Sequence, residues 1–497
     1  MSRAEETGLA GRGPTWTAPR RAVAAVAAGV LALTVAGGCT GRSDPGPTRS
    51  ASTPQGNAST GFTPGAPGIG DAYFPRYGNG GYDVSGYRLK VRYDPANDQL
   101  TGVATVTATA TQPLSRFNLD LVGLTVSLVT VDGAGATHVR EGDELVVTPA
   151  RGLPAGTSFT TEVSYAGVPV PVSSADLGTG GWIATDDGAI AVGQPESAST
   201  WFPVNDHPAD KATYDIEVTV PKGLAALSNG VPGERSTADG WTTWRWSERA
   251  PMASYLVTLV IGDYRVRTGT HDGRPMVTAI AASLPADGPA ARSLARTGEI
   301  ADFLATRFGP YPFESYGGIV VADDRIRYAL ETQSRPVYAQ AFFARGGPNY
   351  GVVTHELAHQ WYGDSVSISR WSDIWLNEGF ASYAEWLWEE HDGGRSVQAN
   401  FDAQYADTDW SRPTLDPGRA GLFTRAVYKR GALVLHALRR TVGDDTFFRL
   451  LRTWAAEKRN GNATTAEFVA VAERVAGRPL RPLLDAWLSG TTAPPKP

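Results

Sequence analysis

Residues 355–359 read His-Glu-Leu-Ala-His, and Asn377-Glu378-Gly379 follows after a gap of eighteen residues between His359 and Glu378. On a helix, positions i and i+4 share a face, so His355 and His359 can grip one metal ion together. Glu356, next to the first histidine, can reach water on that ion. The gap is long enough for a turn and a second helix to bring Glu378 back as a third ligand. Two imidazoles and one carboxylate leave a fourth zinc position open, as in a catalytic rather than a structural site. Paired histidines also occur on plain helix surfaces. Here the chain has only seven histidines, and two of them fall in this motif. The context is helical too: Val352, Val353 and Leu357 supply an apolar side, and Gly363 a stop.

Working outward, the rest of the chain sets bounds. Its 497 residues are 42% hydrophobic and 19% charged, a globular composition long enough for two or three domains. The formal charge of −6 and the lack of a basic run in the folded part argue against nucleic-acid partners. Arg20-Arg21 precede an apolar run, Ala22 to Ala36, that is short for a membrane helix and right for a signal-peptide core. The run ends Ala36-Gly37-Gly38-Cys39, which resembles a bacterial lipoprotein processing site at the only cysteine of the chain. Ala36 departs from the leucine usual there, and an ordinary secretory cleavage is the alternative. Either way export is expected, without an internal disulfide. Residues 40–70, rich in Gly, Pro, Ser and Thr, read as a disordered tether that would span roughly 30 Å. With a lipid on Cys39, the protein would stand just off the extracytoplasmic face of a cell membrane; otherwise it would be secreted.

From about Asp71 the period is two. Leu89, Val91 and Tyr93 alternate with Arg88, Lys90 and Arg92, and further strands read at Val103–Thr107, Phe117–Leu121 and Tyr255–Val260. This predicts an antiparallel β domain over 71–267. The period then changes. Ala290 to Phe308 reads as one helix, Gly317 to Val321 as a buried strand, and the stretch from Phe401 as helical. The expected layout is a leader over 1–39, the tether over 40–70, the β domain, a catalytic α+β domain over 268–400, a helical part over 401–490 and a disordered tail over 491–497.

Several segments then point the same way. The zinc motif with its distant glutamate, Gln194-Pro195-Glu196 with Trp201-Phe202-Pro203 and Asp206-His207-Pro208, Ala329-Leu330-Glu331, and Tyr428-Lys429-Arg430-Gly431 together resemble the aminopeptidase N-like zinc metallopeptidases, a family that includes leukotriene hydrolase. The resemblance runs from about Asp71 to Gly490. It implies a thermolysin-like catalytic domain, one zinc ion, and peptide substrates with a free N-terminus. It implies Tyr428 as a donor to the developing oxyanion, and Glu331 and Glu196, with Gln194 beside them, as the groups that hold the substrate's α-ammonium. Glu356 would take a proton from zinc-bound water and pass it to the leaving amine. A surface glutamate on a strand edge is the plain alternative for Glu196.

Two departures bear on specificity. Tyr328 stands where the family's exopeptidase motif has glycine, and Thr332 where it has asparagine. The chain is short for the family and is expected to lack a large C-terminal domain, leaving the site more open. Asp373, just before the third ligand, is the expected orienting carboxylate for a zinc-bound imidazole, with helix capping near Trp375 as the alternative. The competing readings are an endopeptidase or small-molecule hydrolase on the same zinc chemistry, and a binding protein that has lost catalysis. The second is hard to square with an intact set of ligands, base and tyrosine.

Overall fold

Residues 61–174, 178–344 and 346–497 are described by the computed structural model, all within the compact unit Ser59–Pro497. The leader, Cys39 and most of the expected tether lie outside the described residues.

Alternation becomes sheet where the sequence expects it. Strand Tyr82–Asp94 buries Tyr87, Leu89, Val91 and Tyr93 and exposes Arg88, Lys90 and Arg92. It turns at Asp98, whose φ is 55°, and pairs antiparallel with Gln99–Ala110, which pairs in turn with Ser158–Gly167. On its other side Tyr82–Asp94 pairs parallel with Lys211–Pro221, which pairs antiparallel with Trp241–Ala253. A purely antiparallel domain therefore needs one correction inside its main sheet. Alternation reports which face is buried, not the direction of the neighbouring strand. A smaller sheet, Gly178–Ala184, Ala189–Val192, Leu259–Gly262 and Ala225–Ser228, is antiparallel throughout.

The strand expected at Tyr255–Val260 begins late. Ser254–Leu256 form a 3-10 turn, and pairing starts at Leu259. The side chain of Asn229 takes the place of a strand partner: its amide donates to Leu256 O at 2.9 Å and its oxygen accepts from Thr258 N at 2.8 Å. This break frees Tyr255 to reach the site described below.

Another sheet starts at Tyr264, ahead of the expected boundary at 268. Tyr264–His271 pairs with Arg274–Ala281, which runs parallel to Tyr316–Val321; Val337–Ala339 and the edge strand Ala329–Leu330 complete it. The helix expected over 290–308 is two, α1 (Pro289–Leu294) and α2 (Thr297–Phe308). At the junction Thr297 Oγ1 donates to Leu294 O at 2.8 Å.

The remaining helices are α3 (Tyr350–His359), α4 (Trp375–His391), α5 (Val397–Ala406), α6 (Arg425–Val442), α7 (Asp444–Glu457), α8 (Thr465–Ala476) and α9 (Arg481–Ser489). A dividing line at residue 400 does not separate two bodies. α6 packs directly on α4 where Gly379 meets Gly431: a Cβ on Gly431 would lie 2.7 Å from Gly379 Cα. Strand Gly461–Ala463 also pairs with Val366–Ile368, just after α3.

Both expected disordered segments are partly held. Gly65 N donates to Arg116 O at 2.8 Å, and Gly80 N to Ala66 O at 3.0 Å. At the other end Pro494 is buried, and its carbonyl accepts from Tyr405 Oη at 2.7 Å. Composition shows little to bury in either segment. What holds them is backbone bonding and close packing, which composition does not report.

Candidate active site and metal centre

α3 is built to present two imidazoles. Asn349 caps it, its side-chain oxygen accepting from Val352 N at 3.2 Å. Val353 and Leu357 bury the inner face. The chain then turns at Gly363, whose φ of 139° suits glycine. A Cβ there would lie 3.1 Å from His359 Nδ1, so a larger residue would press on the ligand. After the loop, α4 starts at Trp375 and carries Glu378 in its first turn.

Glu378 Oε2 lies 3.3 Å from His355 Nε2 and 3.5 Å from His359 Nε2. One ligand atom from each of the three residues lies within 4.8 Å of the others. The outer nitrogens are anchored: His355 Nδ1 meets Glu385 Oε1 at 2.8 Å, and His359 Nδ1 meets Tyr362 O at 3.0 Å. A backbone carbonyl only accepts, so His359 Nδ1 carries a proton, and the neutral ring turns the Nε2 lone pair toward the Glu378 carboxylate. Two acceptors facing each other call for a cation between them. Two anchored imidazoles and one carboxylate are a zinc-type donor set. Glu331, Glu356 and His359 also converge within 4.8 Å. That set has one nitrogen only, and its carboxylates serve other tasks below.

The electrostatics agree. Burial alone would raise the Glu378 carboxyl, yet the two imidazoles hold it down to about 2, so it is ionised. Burial alone would lower His359, yet the charges of Glu331 and Glu378 raise it to about 9. Without a metal, these carboxylates draw protons onto the imidazoles; the same field would hold a dication. Glu356 is buried on the cavity wall, and burial, opposed by the two histidines, pushes its carboxyl up to about 8. A carboxyl poised near neutrality is suited to passing protons in both directions.

The Gly379–Gly431 contact brings α6 close enough to set Tyr428 over the metal corner. Its ring lies 5.9 Å from the His355 ring at an interplanar angle of 13°. Burial, and then the Glu378 charge, raise its hydroxyl well above the usual range, so it stays a donor.

The wall beside the metal corner, next to His359 and Glu356, is assembled from distant segments. Glu331 follows the edge strand Ala329–Leu330. Tyr255 Oη donates to Glu331 Oε1 at 2.9 Å and Gln194 Nε2 to the same oxygen at 3.3 Å. Oε2 has no protein partner among the described residues. Gln360, next to a metal ligand, fixes the backbone: its Nε2 donates to Glu331 O at 3.1 Å, and its Oε1 accepts from Ser334 N at 2.7 Å. The cavity, about 390 Å³, has Gln194, Glu331, His355, Glu356, His359, Glu378 and Tyr428 on its wall.

Glu196 is not on that wall. It lines a smaller recess of about 120 Å³ beyond Gln194, accepts a hydrogen bond from Tyr77 Oη, and is pushed up to about 7 by burial. Asp373 is not the orienting carboxylate. It is buried elsewhere, taking Thr465 Oγ1 at 2.6 Å and Arg370 Nε at 2.8 Å. That task belongs to Glu385, seven residues after Glu378 and so on the same side of α4. Tyr328 forms part of the cavity wall, with its hydroxyl 3.2 Å from Thr179 O and 3.3 Å from Val192 O. Thr332 faces away from the cavity, its hydroxyl donating to Arg335 O at 2.7 Å.

Comparison with known proteins agrees with this geometry. Residues 84–256 match the Peptidase M1 N-terminal domain and residues 294–487 the Peptidase family M1 domain. The chain is 30% identical over 322 residues to aminopeptidase N of Acetobacter pasteurianus, covering 60% of this chain and 88% of that protein. It is 26% identical over 343 residues to glutamyl aminopeptidase of Homo sapiens, of which it spans only 33%. Among solved structures it superposes on the M1 zinc metallopeptidase of Deinococcus radiodurans with a TM-score of 0.78 and 32% identity, covering 86% of this chain and 99% of that one. A variant of that enzyme bound to a Tyr-Ser-Ala substrate gives 0.80 and 33% over the same shares. The chain belongs to peptidase family M1, the zinc metallopeptidases of the aminopeptidase N type.

Proposed function

We propose that this protein removes N-terminal residues one at a time from peptides, and that Glu331, with Gln194 beside it, selects the free terminus. The observation that carries this reading is one cavity that sets a buried carboxylate with one oxygen unclaimed, Glu331, beside the His355, His359 and Glu378 corner. His355, His359 and Glu378 would hold a zinc ion, which would supply a Lewis acid and make the attacking water more acidic. The chain's own groups do the rest. Glu331 Oε2 accepts the α-ammonium by a charge-assisted bond, with Tyr255 and Gln194 holding Oε1. That contact fixes which carbonyl lies at the metal corner. Glu356 takes the proton of the attacking water and hands it to the departing amine. Tyr428 donates its O–H to the oxygen on which negative charge grows. Tyr328 borders the space for the first side chain. That a mutant of the Deinococcus metallopeptidase is bound to a Tyr-Ser-Ala substrate supports a free tripeptide as a suitable ligand here.

The test pairs free-amine peptides with their N-acetylated counterparts on zinc-loaded protein. Turnover of the free amines alone is the expected result. Efficient cleavage of acetylated peptides would favour the endopeptidase reading instead.

For location, we propose export and lipid attachment at Cys39. Support comes from Arg20-Arg21, the apolar run and the small residues before the cysteine. Full-length protein is expected in the membrane fraction and a Cys39→Ala variant outside it; equal partitioning of the two would overturn the anchor.

A further inference from the structure

A second cavity, about 480 Å³, adjoins the catalytic one and shares Asn349, Gly351 and Glu385 with it. We propose that this groove holds the portion of the peptide substrate beyond the scissile bond and favours a basic side chain there, through Glu389. The proposal rests on the aminopeptidase reading and adds a preference on the leaving side.

Direction comes from the helices. Glu331 converges with Glu356 and His359 near the C-terminal end of α3, whereas the groove is lined by residues 348–351 at the start of α3 and by α4 from Glu385 onward. A peptide whose ammonium sits on Glu331 and whose first carbonyl sits at the metal corner must leave on this side.

The groove's charges are not all compensated. Asp392 pairs with Arg296 at 2.9 Å, and Glu385 meets His355 at 2.8 Å and Lys429 at 3.6 Å. Glu389 is exposed. It takes only amide donors, Asn400 Nδ2 at 2.7 Å and Arg395 N at 3.4 Å, and has no cation partner among the described residues. The Arg395 guanidinium is directed to Asn400 Oδ1, 3.3 Å away. Trp386 and Trp388 lie buried beneath the groove, so its accessible lining is mainly polar.

Spacing sets the register. Glu378 and Glu389 are eleven residues apart on α4, about 16 Å along its axis. An extended chain covers that in about five residues, and a lysine or arginine side chain shortens the reach to roughly the third or fourth residue beyond the scissile bond.

The experiment uses zinc-loaded protein, wild type and Glu389→Lys, on Ala-Ala-Ala-Lys-Ala, Ala-Ala-Ala-Glu-Ala and alanine amide. Wild type is expected to show a KM lower by about two- to fivefold for the lysine peptide than for the glutamate peptide. Glu389→Lys is expected to reverse that order while turning over alanine amide as wild type does. Equal KM values for the two peptides in wild type, or a preference unmoved by the charge reversal, would overturn the proposal. No turnover of alanine amide by wild type would remove the aminopeptidase reading, and this proposal with it.

Discussion

His355, His359 and Glu378 come from two consecutive helices within a span of 24 residues, whereas the group around Glu331 Oε1 is drawn from positions 194, 255 and 331. The first corner is a product of helix geometry, in which i and i+4 place two ligands and one loop places the third. The second depends on a strand edge, a 3-10 turn and a loop of the β domain meeting across the cavity. The metal corner is thus specified locally, and on the proposed reading the choice of a free amine depends on how residues of the β domain meet Glu331. Damage to either group should leave a distinct signature.

The largest effect belongs to the metal corner. Glu356→Gln keeps the ligands and removes the proton carrier, so kcat is expected to fall by about 10²- to 10⁴-fold with zinc content unchanged on metal analysis. Loss of zinc along with rate would mean that Glu356 also builds the metal site. Next is Glu385→Ala, which frees the outer nitrogen of His355. Zinc affinity is expected to weaken by about 10- to 100-fold in a chelator titration. Unchanged affinity would show that the ring is held by packing alone.

Tyr255→Phe attacks the amine-binding group without touching the metal. Removing a donor to a buried carboxylate is expected to raise KM for free-amine peptides about tenfold, with zinc affinity as in wild type. A fall in zinc affinity would blur the division between the two groups. Gly431→Ala tests the junction between α4 and α6, since the new Cβ would sit 2.7 Å from Gly379 Cα. A stability loss of about 1–3 kcal/mol is expected in thermal unfolding, with a few-fold drop in kcat as Tyr428 shifts. Full stability would mean that the helices separate without strain.

The same division decides what the sequence could tell. The zinc ligands were legible because their spacing is a helical spacing. Glu385 was legible in principle, two turns after Glu378, but Asp373 stands nearer in sequence and drew the orienting role. Tyr255 carried no local signal: its part depends on Asn229 interrupting a strand and on Glu331 arriving 76 positions later. Glu196 followed from resemblance, and its local motif does not show that Tyr77 draws it into a separate recess. In the fold, β alternation was readable and the parallel pairing of Tyr82–Asp94 with Lys211–Pro221 was not, because direction belongs to the connection rather than the strand. The break between α1 and α2 spans only Ala295 and Arg296, a short interruption that a continuous apolar pattern does not report.

The central claim, that Glu331 rather than Glu196 makes this metallopeptidase an aminopeptidase, is tested most directly by one ratio. It is kcat/KM for a free-amine peptide over kcat/KM for its N-acetylated form, measured in zinc-loaded wild type, Glu331→Gln and Glu196→Gln. The ratio should collapse by at least about tenfold in Glu331→Gln and stay within about twofold in Glu196→Gln. A collapse in Glu196→Gln with Glu331→Gln near wild type would contradict the account.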